Sequence, residues 1–555
     1  MSSAARPTST PAPAPTPTPT PVRSVPPPAQ RRLILGVLVF SQLLIWLDGT
    51  ILSTAFETLS DPVRGLGATP GQLQWATGAY TLAFAGLMFT GGALGDRFGH
   101  RNTLLAGMAL FGAASALAAY AATPAQLIAG RAVMGVGAAL LVPATMAVVS
   151  WTFEPAERPA AFGMLSSFAG VGIAAGPILA GALLAAFWWG SVFLVNVPVV
   201  VIGLGFVARY VPNFRSPRAR RLDPAGLVLS TGGLGLLAYG LIRAGQDASF
   251  SQPPVWGCTA AGIVLIAAFV VTELRIAHPS FDPRLLAQRR FASGNVTLMM
   301  VFLALTAGSF YLAFYLQGAR QYSPFQASLL GLPGALGVVV GSPIAVRLAR
   351  RTSVRFVSSV SLAVAALAMG AFALFDATTP IAWYSAVMVV QGTAIGMVIA
   401  PVTSAVLGSL PLERSGAGSA VNSTLRQTGS VLGIAVGGTI TSIVYRRSID
   451  GSLTGLPDQA RDQARVSAEL ARHVAAATHD ARLAEAADTA FLHAMHVGAL
   501  WTAGFALAGA AILAIGFRPD HRTGPAKRTE GGRGTPGGAD RAAARSRRDP
   551  KGTPW

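Results

Sequence analysis

Three ionisable residues sit inside runs that otherwise read as hydrocarbon-soluble: Asp48 in "QLLIWLDGTILST", Arg131 in "LIAGRAVMGVGAALLVP" and Arg426 in "GAGSAVNSTLRQTGSVLGIAV". An ionised aspartate at mid-span costs about 2.5–3.5 kcal/mol on insertion scales, so an intramembrane charge is by default functional and needs a partner. Burial favours the neutral form of a carboxylate, which is the property that proton binding near neutral pH requires. Arg131 lies several residues inside its run, which begins near Ala125, and an intramembrane role outweighs snorkelling. For Arg426 two readings stay open, a counter-ion lining a cavity or an arginine that snorkels. Glu57, nine positions after Asp48, projects from nearly the opposite face of a continuous helix at 100° per residue. It is therefore expected to be solvated, and not half of a paired-carboxylate site.

Little else in the chain suggests bond-breaking chemistry. There is one cysteine, Cys258, and the seven histidines are scattered, so no metal site, nucleophile–base pair or disulfide framework is expected. No G-x-x-x-x-G-K-[ST] motif appears, which argues against an ATP-driven pump. The expectation is a protein that is not an enzyme and has no cofactor, with protons as the coupling ion.

The elements that must position these charges follow from composition. The 555 residues are 52% hydrophobic and only 12% charged, with a mean hydropathy of +0.52; soluble domains carry about 25% charged residues. The net charge of +19 sits in short clusters between apolar runs, not in a basic stripe with interleaved aromatics, so nucleic acid is not expected as a partner. About 14 runs approach the roughly 20 apolar residues that cross a bilayer, the first starting near Leu33 and the last near His496. An even number places both termini on one side. Loops on that side carry about 16 arginines and the opposite short loops about three, so both termini are expected to be cytoplasmic.

Internal repetition divides the spans. "VPATMAVV" at 142–149 is echoed by "APVTSAVL" at 400–407, an offset of 258, and Gly172, Gly176 and Ala180 are echoed by Gly429, Gly433 and Gly437. The expected organisation is a Pro/Thr-rich disordered arm at 1–32, a six-helix half at 33–211, an inserted helix pair at 212–292, a second six-helix half at 293–517 and a disordered basic tail at 518–555. The arm lacks the apolar core of a signal peptide. The long loop at 447–494 has helix-forming composition and is read mainly as an external connector.

The turn "GGALGDRFGHRNTLL" at 91–105 has glycines for close helix approach and charges for the membrane surface. Its spacing resembles the G-x-L-x-D-R-x-G-R-K signature of the major facilitator superfamily, met by Gly92, Leu94, Asp96, Arg97, Gly99 and Arg101. His100 departs from the usual arginine, and Arg350 stands where the second half would repeat Asp96. "LIAGRAVMG" resembles the family's L-x-x-x-R-x-x-x-G motif, associated with proton coupling at Arg131, with Met134 in place of the common glutamine. Gly172, Gly176 and Pro177 resemble the G-x-x-x-G-P motif of antiporters, thought to seal the pathway against leak. "LDGTILSTAFE" resembles the first-helix motif of the 14-helix drug:proton antiporters, with Ser53 and Glu57 replacing the usual asparagine and proline. "LVNVP" at 194–198 is a further mark of that group.

The resemblance implies an all-α polytopic membrane protein of the major facilitator fold, with 14 helices arranged as two six-helix halves plus an inserted pair. It implies a proton-coupled multidrug efflux antiporter that exports small-molecule drugs or antibiotics across a bacterial cell membrane, surrounded by lipid and monomeric; Asp48, one carboxylate in an apolar cavity, suits amphipathic and cationic substrates. Asp48, Arg131 and Arg426 are the expected proton-coupling and substrate residues, with Gly92, Leu94, Asp96, Arg97, Gly99 and Arg101 as the cytoplasmic gate. Two other readings remain: a dedicated exporter of one endogenous metabolite or self-made antibiotic, and a non-transporting membrane receptor or scaffold.

Overall fold

Proline opens many of the long helices, because its missing N–H is one that a first helical turn leaves unbonded in any case. In the computed structural model, residues 27–154, 157–215, 223–247, 249–276, 282–410 and 415–517 are described, apart from some side chains within helices. The first half contains α1 (Pro28–Thr54), α2 (Phe56–Ser60), α3 (Pro70–Phe98), α4 (His100–Ala119), α5 (Pro124–Thr152), α6 (Arg158–Ala186), α7 (Ser191–Leu194) and α8 (Asn196–Tyr210). Next come α9 (Pro224–Asp247) and α10 (Pro253–Arg275), then α11 (Arg289–Phe314), α12 (Pro324–Arg351), α13 (Val354–Ala371), α14 (Ile381–Leu407) and α15 (Ser415–Ile449). The chain continues through α16 (Asp458–Val466) and α17 (Ala468–Thr478) into α18 (Ala481–Gly516). Thr69 with Gln72 and Ser323 with Gln326 form capping boxes that fix the starts of α3 and α12.

Among the described residues there is no strand, and twelve helices are long and apolar enough to cross a membrane. The two remaining expected spans correspond to α3 and α6, helices of 29 residues each that include undescribed side chains. The arm as far as residue 26, residues 216–221 of the "RSPRARR" run and the tail from 518 lie outside the described residues. Residues 28–32, expected in the arm, are the first turn of α1, where Arg31 pairs with Glu157 at the start of α6.

The repeat seen in the sequence is a repeat of packing. In the first half α1 packs on α6 and α3 on α5; in the second, α11 packs on α15 and α12 on α14. The glycine rows produce this closeness. A Cβ on Gly176 would overlap Thr50 and the Leu47 carbonyl, and one on Gly433 would overlap Thr306 and the Leu303 carbonyl. Small residues at such spacing let two backbones meet inside lipid, where no hydrophobic force drives helices together. The inserted α9 packs on α10, on α15 and on α3, so it touches both halves.

The 447–494 segment is more than a connector. It folds into α16 and α17, and α17 packs on both α18 and α2, reaching from the second half to the end of the first helix of the other. The halves also meet at this end through Gln317, which donates to the Thr54 carbonyl at 3.0 Å, and through Gly181 of α6, pressed against Phe325 and Ser328 of α12. We refer to this end as the strap face.

Candidate functional site

Asp48 and Arg131 come together. Asp48 lies on α1 and Arg131 on α5, and the Arg131 Nη1 to Asp48 Oδ2 distance is 2.6 Å with side-chain exposures of 1% and 0%. The other carboxylate oxygen accepts from Asn196 Nδ2 at 3.3 Å, and the same amide nitrogen lies 3.0 Å from Ser115 Oγ. Ser115 in turn donates to the Phe193 carbonyl at 2.9 Å. The guanidinium is held on three further sides: Nε donates to the Ala76 carbonyl at 3.2 Å, Nη1 lies 3.9 Å from the Met134 sulfur, and its carbon sits 4.4 Å from the Tyr80 ring centroid.

This arrangement answers the cost of placing two charges in hydrocarbon. Desolvating each ion costs several kcal/mol, and mutual attraction repays this only with close geometry and additional hydrogen bonds. Both are present. Met134, in place of the family's glutamine, leaves a soft sulfur acceptor beside the arginine, and Asn196 from α8 supplies the polar contact to the acid. Sequence reasoning missed Asn196, Ser115 and Tyr80. Asn196 lies in the quoted "LVNVP" and is a polar residue in an apolar run, the same signal that picked out Asp48.

Arg426 does not join this pair. It lies on α15 in the other half, with its guanidinium carbon 4.4 Å from the Phe302 ring centroid of α11. Its Nε is buried with no acceptor among the described residues.

The signature turn sits between α3 and α4. Gly99 has φ +98°, a conformation that strains residues carrying a Cβ. Asp96 pairs with His100 at 3.3 Å, so the residue that departs from the family pattern supplies the acid with a partner inside the same turn. The His100 amide donates to the Phe214 carbonyl at 3.0 Å, and Phe214 stacks on Trp151 at 5.3 Å between centroids. Gly92 lies against Pro143 of α5. Leu94 is half-buried, Arg97 is exposed beside Phe98, and Arg101 is half-buried. In the antiporter-like motif, Gly172 faces Trp46 and Leu43, Gly176 faces Thr50, and Pro177 lies inside α6.

Glu57 corrects the sequence reading. The helix does not continue past Thr54; α2 begins at Phe56, and α17 covers its acid. Glu57 Oε1 lies 3.7 Å from Arg472 Nη1, and Arg472 also bonds Asp488 at 2.9 Å and Glu469. His473 bridges Glu469 at 3.2 Å and Asp61 at 3.9 Å. Burial, reinforced by the Glu469 charge, pushes the Glu57 carboxyl up to about 9 against only partial opposition from Arg472. Phe310, Phe314, Tyr445 and Phe491 line an adjoining pocket together with Glu469 and Arg472.

A pH dependence follows. Released from the strap, Glu57 returns to its ordinary value of 4.5, so the docked state holds a proton that the released state gives up. Docking is therefore fully supported below about 4.5 and loses that support as pH rises through about 9. Between pH 8 and pH 10, strap docking should weaken about tenfold. Hydrogen exchange of residues 458–478, corrected for intrinsic rate, should show this loss in the wild type and not in Glu57→Gln. Equal pH profiles for the two proteins would sink the assignment.

Comparison with known proteins now decides the family. The model of the Major Facilitator Superfamily matches residues 38–434, well over half of the chain. The chain belongs to the major facilitator superfamily. It is 33% identical over 495 residues to the methyl viologen resistance protein SmvA of Salmonella typhimurium, covering 87% of this chain and 97% of that one. It is 32% identical over 495 residues to the multidrug efflux pump LfrA of Mycolicibacterium smegmatis, covering 88% and 97%. Among solved structures, a bacterial homolog of the human lysosomal transporter Spinster, inward-facing and unoccupied, matches with a TM-score of 0.63 at 16% identity, over 88% of this chain and 98% of that one. As a member of this superfamily the chain is a multi-pass membrane transporter and not an enzyme.

Proposed function

We propose that this transporter exports amphipathic drugs or antibiotics across the bacterial cytoplasmic membrane in exchange for protons, with 14 spans and both termini in the cytoplasm. The printed names of the relatives, methyl viologen resistance and multidrug efflux, support drug export. The excess of loop arginines supports the topology, and it makes the strap face external. The single observation that carries proton coupling is the buried Asp48–Arg131 pair.

Asp48 holds either a proton or the Arg131 charge. Protonating it cancels the attraction and leaves Arg131 an uncompensated buried cation, a loss of about 3–5 kcal/mol for a broken buried pair. An inward proton gains about 2.3 kcal/mol from 100 mV and about 1.4 kcal/mol per unit of pH gradient. The two magnitudes match, so one proton can drive the pair from one arrangement to the other while the halves rock about the midplane. Drug leaves as the proton enters, and no ATP is consumed.

The test is uptake into proteoliposomes of purified protein under an imposed pH gradient, with a panel of unrelated amphipathic dyes and antibiotics. Accumulation of several compounds that collapses on adding a protonophore is the expected result. Protection limited to one compound would identify a dedicated exporter. Uptake indifferent to the protonophore would remove proton coupling.

A further inference from the structure

The five helices α11 to α15 contain several arginines and no aspartate or glutamate. Most of these arginines lie in the terminal turns, where a long side chain reaches the interface. Arg426 does not, because α15 starts eleven positions earlier, at Ser415, roughly 16 Å along the axis. Its charge has no carboxylate among the described residues, whereas the interior charges of the first half cancel each other. The asymmetry leaves the described membrane interior with an uncompensated positive charge at Arg426.

Local packing shows how that charge is presented. Gly429 abuts the Met299 backbone, Gly433 abuts Leu303 and Thr306, and Thr306 Oγ1 donates to the Ser430 carbonyl at 3.2 Å, so α15 is clamped to α11 just beyond Arg426. One face of the guanidinium rests on Phe302 at 4.4 Å, leaving the planar edge with its N–H donors without a partner among the described residues. Nε is buried with no acceptor among them, and the residue is half-buried. The matched packing of Leu47 and Thr50 on Gly176 and of Leu303 and Thr306 on Gly433 sets Phe302 in the place of Trp46, two positions or about 3 Å from the level of Asp48. The free cation and the acid–arginine pair therefore lie at similar depth in opposite halves.

We infer that Arg426 is an anion-receiving subsite of the transport path, which fits substrates carrying a carboxylate, phenolate or sulfonate beside an apolar body. A fork of N–H donors fixed against an aromatic ring matches such a group in bidentate fashion. An anion there supplies the charge that the protein omits, and the preference for cations read from Asp48 alone is reversed, since Asp48 is already satisfied by Arg131 and Asn196. Naming the ligand a substrate rests on the exporter reading; the binding itself does not.

Two dyes that share a xanthene skeleton and differ in charge provide the test: fluorescein, an anion, and rhodamine 6G, a cation. Binding is measured by fluorescence anisotropy on purified full-length protein in phosphatidylcholine nanodiscs, where neither transport nor a proton gradient is needed. The wild type should bind fluorescein more tightly than rhodamine 6G. Arg426→Gln should weaken fluorescein at least about tenfold, with rhodamine 6G within about twofold as the control for folding. If the glutamine variant does not fold, Arg426→Lys carries the test: it keeps the charge and loses the fork, and should weaken fluorescein about threefold to tenfold. Unchanged fluorescein binding in these variants, or tighter rhodamine 6G binding by the wild type, overturns the assignment. Displacement of fluorescein by added phosphatidylglycerol also overturns it, because Arg426 would then hold lipid. Failure of the proton-driven uptake experiment with these binding results intact would strike the exporter reading alone.

Discussion

Exchanging Asp48 for asparagine is expected to reduce drug-driven proton release to background, at least about 100-fold below wild type. The amide keeps the size of the side chain and an oxygen facing Arg131, so the packing around α1, α5 and α8 changes little. What it loses is the ability to take up and give back a proton. Inverted membrane vesicles carrying an internal pH-sensitive dye read this directly: adding drug to energised wild-type vesicles releases protons from the lumen, and Asp48→Asn vesicles stay silent. Dye binding to the purified variant separates lost coupling from lost protein. Normal drug-dependent proton exchange by Asp48→Asn would remove this residue from the mechanism.

Removing the partner should damage stability before activity. Arg131→Gln leaves Asp48 buried at 0% exposure with Asn196 as its one remaining polar contact among those described. Removing one member of a buried ion pair costs about 3–5 kcal/mol, because the survivor is an uncompensated charge. The double variant Asp48→Asn/Arg131→Gln removes both charges and should recover most of that loss. Thermal unfolding of the purified single and double variants forms a double-mutant cycle, and an interaction energy of about 2 kcal/mol or more is expected. Additive effects would mean that the two residues are neighbours without an energetic bond.

The charged residues in apolar runs made Asp48, Arg131 and Arg426 legible in the sequence, because hydrocarbon makes any ion conspicuous. Their arrangement was not legible. Asp48 and Arg131 are 83 positions apart, and nothing in local spacing says that α1 and α5 bring them within a hydrogen bond. Asn196 and Ser115 went unnoticed because a neutral polar residue is a weaker signal than an ion. The glycine rows were legible as a repeat, and their partners in α1 and α11 came only with the fold. Glu57 was misread for two physical reasons. The geometric argument assumed one continuous helix where the chain breaks at Ala55. Its burial is produced by α17, a segment more than 400 positions away.

The inserted helix α9 is fastened unequally to its two neighbours. On the α15 side Thr439 donates to the Leu241 carbonyl at 2.6 Å, and Gly245 admits the Thr439 backbone at close range. Toward α3 the contacts are side chains, with Trp75 against Tyr239 at 6.3 Å between centroids and Thr231 in the notch at Gly86. In mechanical terms α9 is riveted to one half and greased against the other. On the proposed rocking of the halves, slip is expected at the α3–α9 boundary, with the inserted pair acting as a bearing carried by the second half.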